Sequence, residues 1–170
     1  MKKRYSLLIL TIFFMGCATT RFTITDVMVK PILDKSINDM QHSINDGSPI
    51  AVWWCDDERF KKEPDEKEHV TTIAYWVQGY IEQGLVNTNK YDVVTRTQLD
   101  KIFREQEFQY SGHVSDETMV SIAKILGAKY MVVPRITQIN TINIQVLDSE
   151  SGKIMYLSDT PVKEKQVIGK

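Results

Sequence analysis

The strongest constraint on the fold is a hairpin pattern in the last third of the chain. Apolar and polar residues alternate over most of residues 136–146, as expected of a strand with one face in the core. A polar turn over residues 148–152 ends on Gly152 and leads into a second apolar strand at residues 153–157, which is typical of a hairpin. The chain therefore places at least one antiparallel strand pair in its sheet.

Further helices and strands are expected upstream of this hairpin. Apolar residues at helical spacing predict four helices, at about residues 31–44, 66–86, 97–107 and 115–126. Short runs rich in β-branched and aromatic residues predict three more strands, at residues 50–55, 91–95 and 130–133. The order α-β-α-β-α-α-β-β-β predicts an α/β (α+β) fold, with a single mixed β-sheet flanked by helices. Pro134 suggests that its strand lies at an edge or carries a bulge.

The N-terminal residues are typical of an export signal. Three basic residues at 2–4 precede an almost unbroken apolar stretch over residues 5–15, which is too short to cross a bilayer. The stretch ends in Gly16-Cys17 and resembles a bacterial lipobox, in which a small residue precedes a cysteine that becomes lipidated. We expect residues 1–16 to be a lipoprotein signal peptide and Cys17 to carry the lipid. The alternative is an ordinary cleaved signal followed by an incidental cysteine.

This assignment divides the chain into four parts. Residues 17–29 would form the lipidated N-terminus and a short tether, residues 30–159 the folded domain, and residues 160–170 a polar C-terminal tail. The residue after the cysteine is Ala18, which by resemblance to enteric lipoproteins favours export to the outer membrane. We therefore expect a lipid-anchored protein of the cell envelope, at the outer membrane and facing the periplasm.

The sequence has no recognisable catalytic or metal-binding pattern. It has no glycine-rich phosphate loop and no GxSxG, CxxC or HExxH motif, and its three histidines are scattered. Cys55 ends an apolar run without an adjacent basic residue, which favours a buried structural thiol. The many charged side chains of residues 56–67 predict a solvated loop. We therefore expect no catalytic residues, no metal site and no cofactor, and the net charge of −1 argues against a nucleic-acid partner.

Three aromatic residues are candidates for a partner-binding surface. Trp53 and Trp54 are adjacent in the first predicted strand, so their side chains should face opposite sides of the sheet. One indole would lie in the core and the other under a helix or against a partner, unless both are buried between two layers. Tyr75 falls with Gln78 and Glu82 on the polar side of the second predicted helix, where an exposed ring would suit a protein contact.

Several stretches of the chain together resemble a known family. They are the strand-to-helix segment at 91–102, the pairs at 105–106 and 111–112, the helix-to-strand junction at 125–132 and the hairpin at 143–154. In this order and spacing they resemble the CsgG/LpoB superfamily of cell-envelope lipoproteins, over about residues 48–158. That superfamily includes curli-secretion components and activators of penicillin-binding proteins. The resemblance implies a CsgG/LpoB-like core with a non-enzymatic role in the envelope.

The expected function is therefore protein binding at a membrane, through the lipid on Cys17. The most concrete version is an LpoB-like accessory or activator of a cell-wall (peptidoglycan) synthase or of another periplasmic partner. The alternative is a CsgG-like subunit or accessory of an envelope secretion or assembly complex, without its own pore because the hairpins are too short to supply one. Self-association of the chain stays open. An uncharacterised enzyme is the second alternative.

Overall fold

The computed structural model describes residues 23–60, 71–94, 97–99, 101 and 115–163. Four expectations fall outside these ranges, namely the signal peptide, the lipidation of Cys17, the motif pairs at 105–106 and 111–112, and most of the C-terminal tail. Among the described helices, none combines the length and the apolar character needed to cross a membrane.

The described elements follow the predicted order. They are α1 (Asp26–Met40), β1 (Pro49–Val52), β2 (Asp56–Asp57), a 3-10 turn (Glu58–Phe60), α2 (Thr72–Asn87), β3 (Asp92–Val94), α3 (Asp116–Ile125), β4 (Tyr130–Ile136), β5 (Thr141–Asp148) and β6 (Ile154–Pro161). Residues 97–99 and 101, between β3 and α3, are also helical. The first predicted strand, residues 50–55, corresponds to the shorter β1, and every other predicted strand has one counterpart. β2 lies in the segment that was expected to be a loop.

The strands form one mixed sheet, as predicted. Their order is β3-β1-β4-β5-β6, and β2 pairs with β4 beyond the end of β1. β1 is parallel to both β3 and β4, and β2 is parallel to β4, whereas β5 is antiparallel to both β4 and β6. The hairpin expected from the alternating pattern is therefore the β5–β6 pair, and a second tight turn joins β4 to β5.

Pro134 does not mark a sheet edge, because β4 lies between β1 and β5. The Trp53 N–H donates to the Val132 carbonyl oxygen over 2.8 Å, so the backbone polar groups of Val132 face β1. Those of Pro134, two residues later, face the same side. The parallel pairing is interrupted there, since β1 ends opposite Val132 and β2 begins opposite Arg135. The missing N–H of Pro134 therefore falls in the gap between β1 and β2.

Helices cover both faces of the sheet, and each face has its own apolar core. The larger core lies under α1 and α2, and its fully buried members include Leu33, Ile81, Leu85, Ile142 and Ile144. The smaller core lies under α3, and its members include Leu99, Met119, Ile122, Met131 and Leu147. This layered arrangement leaves the outer sides of the helices and the β6 edge as the main described surfaces.

The predicted hairpin turn is confirmed, and a side-chain cap starts α3. The Ser115 hydroxyl oxygen accepts a hydrogen bond from the Thr118 N–H, as expected of an N-cap residue. Gly152 ends the β5–β6 turn with a φ of +67°, a conformation that side chains disfavour. The Asp148 carboxylate accepts hydrogen bonds from the backbone N–H groups of Glu150 and Ser151 within the same turn.

The borders of α1 and β6 differ from those expected. α1 begins at Asp26, ahead of Pro31, because the Thr25 carbonyl oxygen accepts the N–H groups of the first turn. β6 continues to Pro161 and Val162 is buried, so ordered structure reaches into the segment expected to be a tail. Alternation and helical spacing identify these elements, but their ends depend on hydrogen bonds that the spacing does not encode.

Candidate interaction surface

The described part of the chain presents neither a metal-ligating cluster nor an exposed thiol. Within that part, His, Cys, Asp and Glu side chains nowhere form a group of three or more that could hold a metal ion. Cys55 is a free, buried cysteine. Burial raises the pKa of its thiol well above the ordinary value, which keeps the sulfur neutral and a poor nucleophile. The candidate sites are therefore surfaces that could contact another protein.

The loop expected to be solvated begins with a buried ion pair. The Asp57 carboxylate accepts bonds from the Arg59 Nε and Nη2 groups at 2.7 and 2.6 Å, and from the Thr71 hydroxyl at 2.6 Å. The Asp57 and Arg59 side chains are 1% and 12% exposed. The Thr71 hydroxyl oxygen also accepts the Ala74 N–H as the N-cap of α2. The cluster thus fixes the start of α2 to β2, so the expectation of a solvated loop is wrong for these two residues.

Trp53 and Trp54 do not occupy opposite faces of the sheet. Trp53 is 3% exposed and belongs to the core under α3, and Trp54 packs partly exposed against the same core. Their rings meet edge to face, with centroids 4.9 Å apart. The alternation rule fails here because β1 ends at Val52, so neither residue lies in a regular strand. Trp53 is a core residue, and Trp54 keeps part of its ring at the surface.

Tyr75 lies on a different layer from Trp54. It is 57% exposed in the first turns of α2, and α2 covers the opposite face of the sheet from α3. Gln78, expected beside Tyr75 on the polar side, is buried and donates to the Glu82 side chain over 3.2 Å. The three aromatic candidates therefore do not form one surface, and Tyr75 and Trp54 would serve separate contacts.

A surface cluster between α1 and α2 joins two residues from each helix: Lys30, Asp34, Trp76 and Tyr80. The Trp76 and Tyr80 rings are stacked with centroids 4.9 Å apart. The Lys30 ammonium lies 5.0 Å from the centre of the Tyr80 ring and donates to the Asp34 carboxylate over 2.9 Å. The Tyr80 hydroxyl donates to the other Asp34 oxygen over 2.5 Å. We call these four residues the α1–α2 cluster.

The hydrogen bonds of this cluster hold its charges in place. The Asp34 and Tyr80 side chains raise the pKa of Lys30 to about 12, and the Lys30 and Tyr80 bonds lower the pKa of Asp34. Both groups are therefore charged across the ordinary pH range. Aromatic rings beside fixed charges are typical of protein-binding surfaces, and the α1–α2 cluster combines the two at the surface of the described helices.

Sequence reasoning missed this cluster, although part of its signal is present. Each pair is spaced four residues apart, which places both members on one side of their helix. The spacing cannot show that α1 and α2 lie side by side. Trp76 and Tyr80 border the core beside α1 and remain partly exposed.

Comparisons with known proteins identify the fold. The model of the CsgG family, described as a curli production assembly/transport component, matches residues 70–142. The C-terminal domains of LpoB from Salmonella enterica and Escherichia coli each superimpose with a TM-score of 0.62 at 16% identity, covering 78% of this chain and 96% of theirs. The lipoprotein GNA1162 of Neisseria meningitidis superimposes with a TM-score of 0.50 at 14% identity, over 72% and 85% of the two chains. A search of curated protein sequences finds no significant match.

The two kinds of match confirm the CsgG/LpoB-like resemblance and its α+β fold. The family model covers α2 to the start of β5, and the structural match covers nearly the whole LpoB domain. The superposition establishes a shared fold, but at 16% identity it does not transfer a partner or a binding residue.

Proposed function

We propose that this chain is a lipid-anchored cell-envelope protein that acts by binding another protein. The observation that carries the proposal is the fold, which matches the LpoB C-terminal domain over 96% of that domain's length. The lipoprotein-like N-terminus agrees with it independently. The proposed role requires no catalytic residue, metal or cofactor.

The proposed anchor is lipid on Cys17, after removal of residues 1–16, with the domain at the outer membrane facing the periplasm. The two cysteines of the chain offer a matched test. Cells fed radiolabelled palmitate should label the wild-type chain and the Cys55→Ala variant. The Cys17→Ala variant should lose the label and leave the membrane fraction. A labelled, membrane-bound Cys17→Ala protein would contradict the anchor.

The proposed partner is a peptidoglycan synthase, in an accessory role like that implied by the LpoB resemblance. Only residues 17–22 separate the anchor from the first described residue, and six residues span at most about 20 Å. A partner must therefore come close to the membrane that holds the anchor. We propose that it contacts the outer side of α1 and α2, where Tyr75 and the α1–α2 cluster present aromatic rings and fixed charges.

A photocrosslinking amino acid placed at residue 75 would test the partner and the surface together. The matched control carries the same amino acid at residue 150, in the exposed β5–β6 turn at the other end of the sheet. Crosslinking in cells of the native host should join a peptidoglycan synthase to residue 75 but not to residue 150. Equal capture from both positions would contradict the proposed surface, and a synthase absent from both would contradict the partner.

A second candidate is a subunit or accessory of an envelope secretion or assembly complex. The match of residues 70–142 to the curli production assembly/transport family favours it. In the same experiment this candidate predicts crosslinks between copies of the chain, together with secretion or outer-membrane components. Capture of those species in place of a synthase would support it over the accessory role.

A further inference from the structure

The two ends of the sheet can be distinguished by where the helices begin. The Thr71 hydroxyl at the start of α2 donates to Asp57, and Asp57 pairs with Ile136 at the end of β4. α2 therefore begins at the end of the sheet where β4 finishes. The β4–β5 turn, residues 137–140, lies at the same end.

α1 runs in the same direction as α2. Near the start of α1, Lys30 donates to Tyr80 of α2. Ile37, about two turns later in α1, lies against Gly84, about one turn later in α2. Because the contacts advance together along both helices, α1 also begins where β4 finishes. The chain that leads back to Cys17 leaves the domain there, and we call this the tether end.

The length of chain between the anchor and Thr23, the first described residue, keeps the tether end close to lipid. This step rests on the lipidation of Cys17 proposed above. Residues 17–22 reach at most about 20 Å, whereas the eight residues of β5 alone span about 27 Å. The tether is therefore long enough for the tether end to rest on the membrane. It is too short for the opposite end to rest there instead, because β5 alone is longer than the tether.

The hairpin turns at the two ends have different chemistry. The β4–β5 turn at the tether end reads Thr137-Gln138-Ile139-Asn140, without a charge. Ile139 is 81% exposed, the highest value for a large apolar residue in the described part of the chain. The β5–β6 turn at the opposite end, residues 149–153, carries Glu150 and Lys153 and contains no large apolar residue.

The β4–β5 turn holds Ile139 outward in a defined conformation. The Thr137 N–H donates to the Thr141 carbonyl oxygen over 2.9 Å, and the Asn140 N–H donates to the Thr137 carbonyl oxygen over 3.0 Å. The Thr137 hydroxyl oxygen accepts the Thr141 N–H over 3.1 Å. Val27, in the first turn of α1 at the same end, is 61% exposed.

We propose that the tether end rests on the lipid surface that holds the anchor, with Ile139 seated among the lipid headgroups. An uncharged turn with a protruding aliphatic side chain suits this boundary, where apolar groups are buried to a shallow depth. The lipid on Cys17 supplies the attachment, and Ile139 sets the orientation. The domain then points its α1–α2 and β6 surfaces sideways, parallel to the membrane plane.

Nitroxide labels on the lipidated protein in vesicles would test this orientation. The labels are attached at Gln138→Cys in the β4–β5 turn and, as the matched control, at Glu150→Cys in the β5–β6 turn. Cys17 carries lipid and Cys55 is buried, so each variant has one reactive thiol. The vesicles contain phosphatidylethanolamine with a minority of phosphatidylglycerol, and collisions with oxygen and with a water-soluble nickel chelate are measured by electron paramagnetic resonance.

We expect the ratio of oxygen to nickel collisions to be several-fold higher at residue 138 than at residue 150. Adding Ile139→Asn should lower the ratio at residue 138 toward that of the control, and Ile139→Leu should preserve it. A protein that floats with the vesicles but shows equal ratios would overturn the orientation alone. A protein that does not float with the vesicles would overturn the anchor and the orientation with it. A label at residue 138 shielded equally from both reagents would show a protein contact and also overturn the proposal.

Discussion

Cys55 illustrates how burial decides the chemistry of a single residue. Its thiol lies in the core under α1 and α2, and burial raises its pKa, so little reactive thiolate forms at neutral pH. In protein comprising residues 18–170, which retains only this cysteine, a thiol reagent should react slowly until a denaturant unfolds the chain. The time course of labelling with and without denaturant measures this. Rapid stoichiometric labelling of the native protein would contradict a buried, structural thiol.

Removal of the Asp57 carboxylate should be costly to stability. An Asp57→Ala variant would remove the carboxylate that pairs with the nearly buried Arg59 guanidinium and that accepts a hydrogen bond from the Thr71 hydroxyl. Breaking one partner of a buried pair costs about 3–5 kcal/mol. Chemical denaturation should show a loss of this order for Asp57→Ala. The control Asp159→Ala, at an exposed position in β6, should change the unfolding free energy by less than about 0.5 kcal/mol.

Asp148 should make stability depend on pH. Hydrogen bonds from the Ser151 N–H and hydroxyl and from the Glu150 N–H lower the pKa of its carboxyl below 3.8. A lowered folded-state pKa contributes stability that is complete above the unfolded value and is lost as pH falls through the folded value. The difference in unfolding free energy between wild type and Asp148→Ala should therefore be constant from pH 5 to 7 and shrink below about pH 4. A difference that persists unchanged to pH 2.5 would contradict this assignment.

At the scale of elements, the sequence predicts what is local and misses what depends on neighbours. The order of helices and strands follows from periodicity, and Ser115 and Gly152 occupy the cap and turn positions that their chemistry favours. The exposure of Trp54 could not be predicted, because it depends on β1 ending at Val52. The position of Pro134 in an inner strand could not be predicted either, because it depends on the gap between β1 and β2.

The candidate surface was the least predictable part for the same reason. Tyr75 was expected to be exposed and is exposed, because it lies away from the core side of one amphipathic helix. The α1–α2 cluster joins Asp34 to Tyr80, which are 46 residues apart. Nothing in either helix alone specifies which neighbour it packs beside.

Two glycines of α2 offer a matched test of that helix pairing. A Cβ at Gly84 would collide with the Ile37 side chain of α1, whereas a Cβ at Gly79 would meet no atom within 4 Å. Gly79→Ala should stabilise the protein by about 0.5–1 kcal/mol through helix propensity. Gly84→Ala should be destabilising by about 1–3 kcal/mol, because Ile37 is buried and must shift. Thermal or chemical unfolding would compare the two, and equal stabilisation by both would contradict close α1–α2 contact at this point.

At the scale of the whole molecule, the β6 edge bears on whether copies of the chain associate. β6 is the last strand in the described sheet and exposes Ile154 and Leu157. A long apolar edge strand is a common site of strand pairing. Two features oppose pairing here. The β5–β6 register shifts between Val146 and Leu147, which distorts the start of β6, and Pro161 occupies its end.

The orientation of Pro161 makes this protection specific to the open edge. The Val162 N–H donates to the Asn140 carbonyl oxygen beside β5, so the backbone groups of the preceding residue, Pro161, face away from β5. The edge therefore lacks a donor where a second strand would need one.

We expect protein comprising residues 18–170 to be a monomer at micromolar concentration, measured by light scattering during gel filtration. Pro161→Val restores the outward N–H and should raise self-association relative to wild type. Stable rings or dimers of the wild-type protein would instead favour the assembly-subunit role over the accessory role, because that role requires contacts between copies.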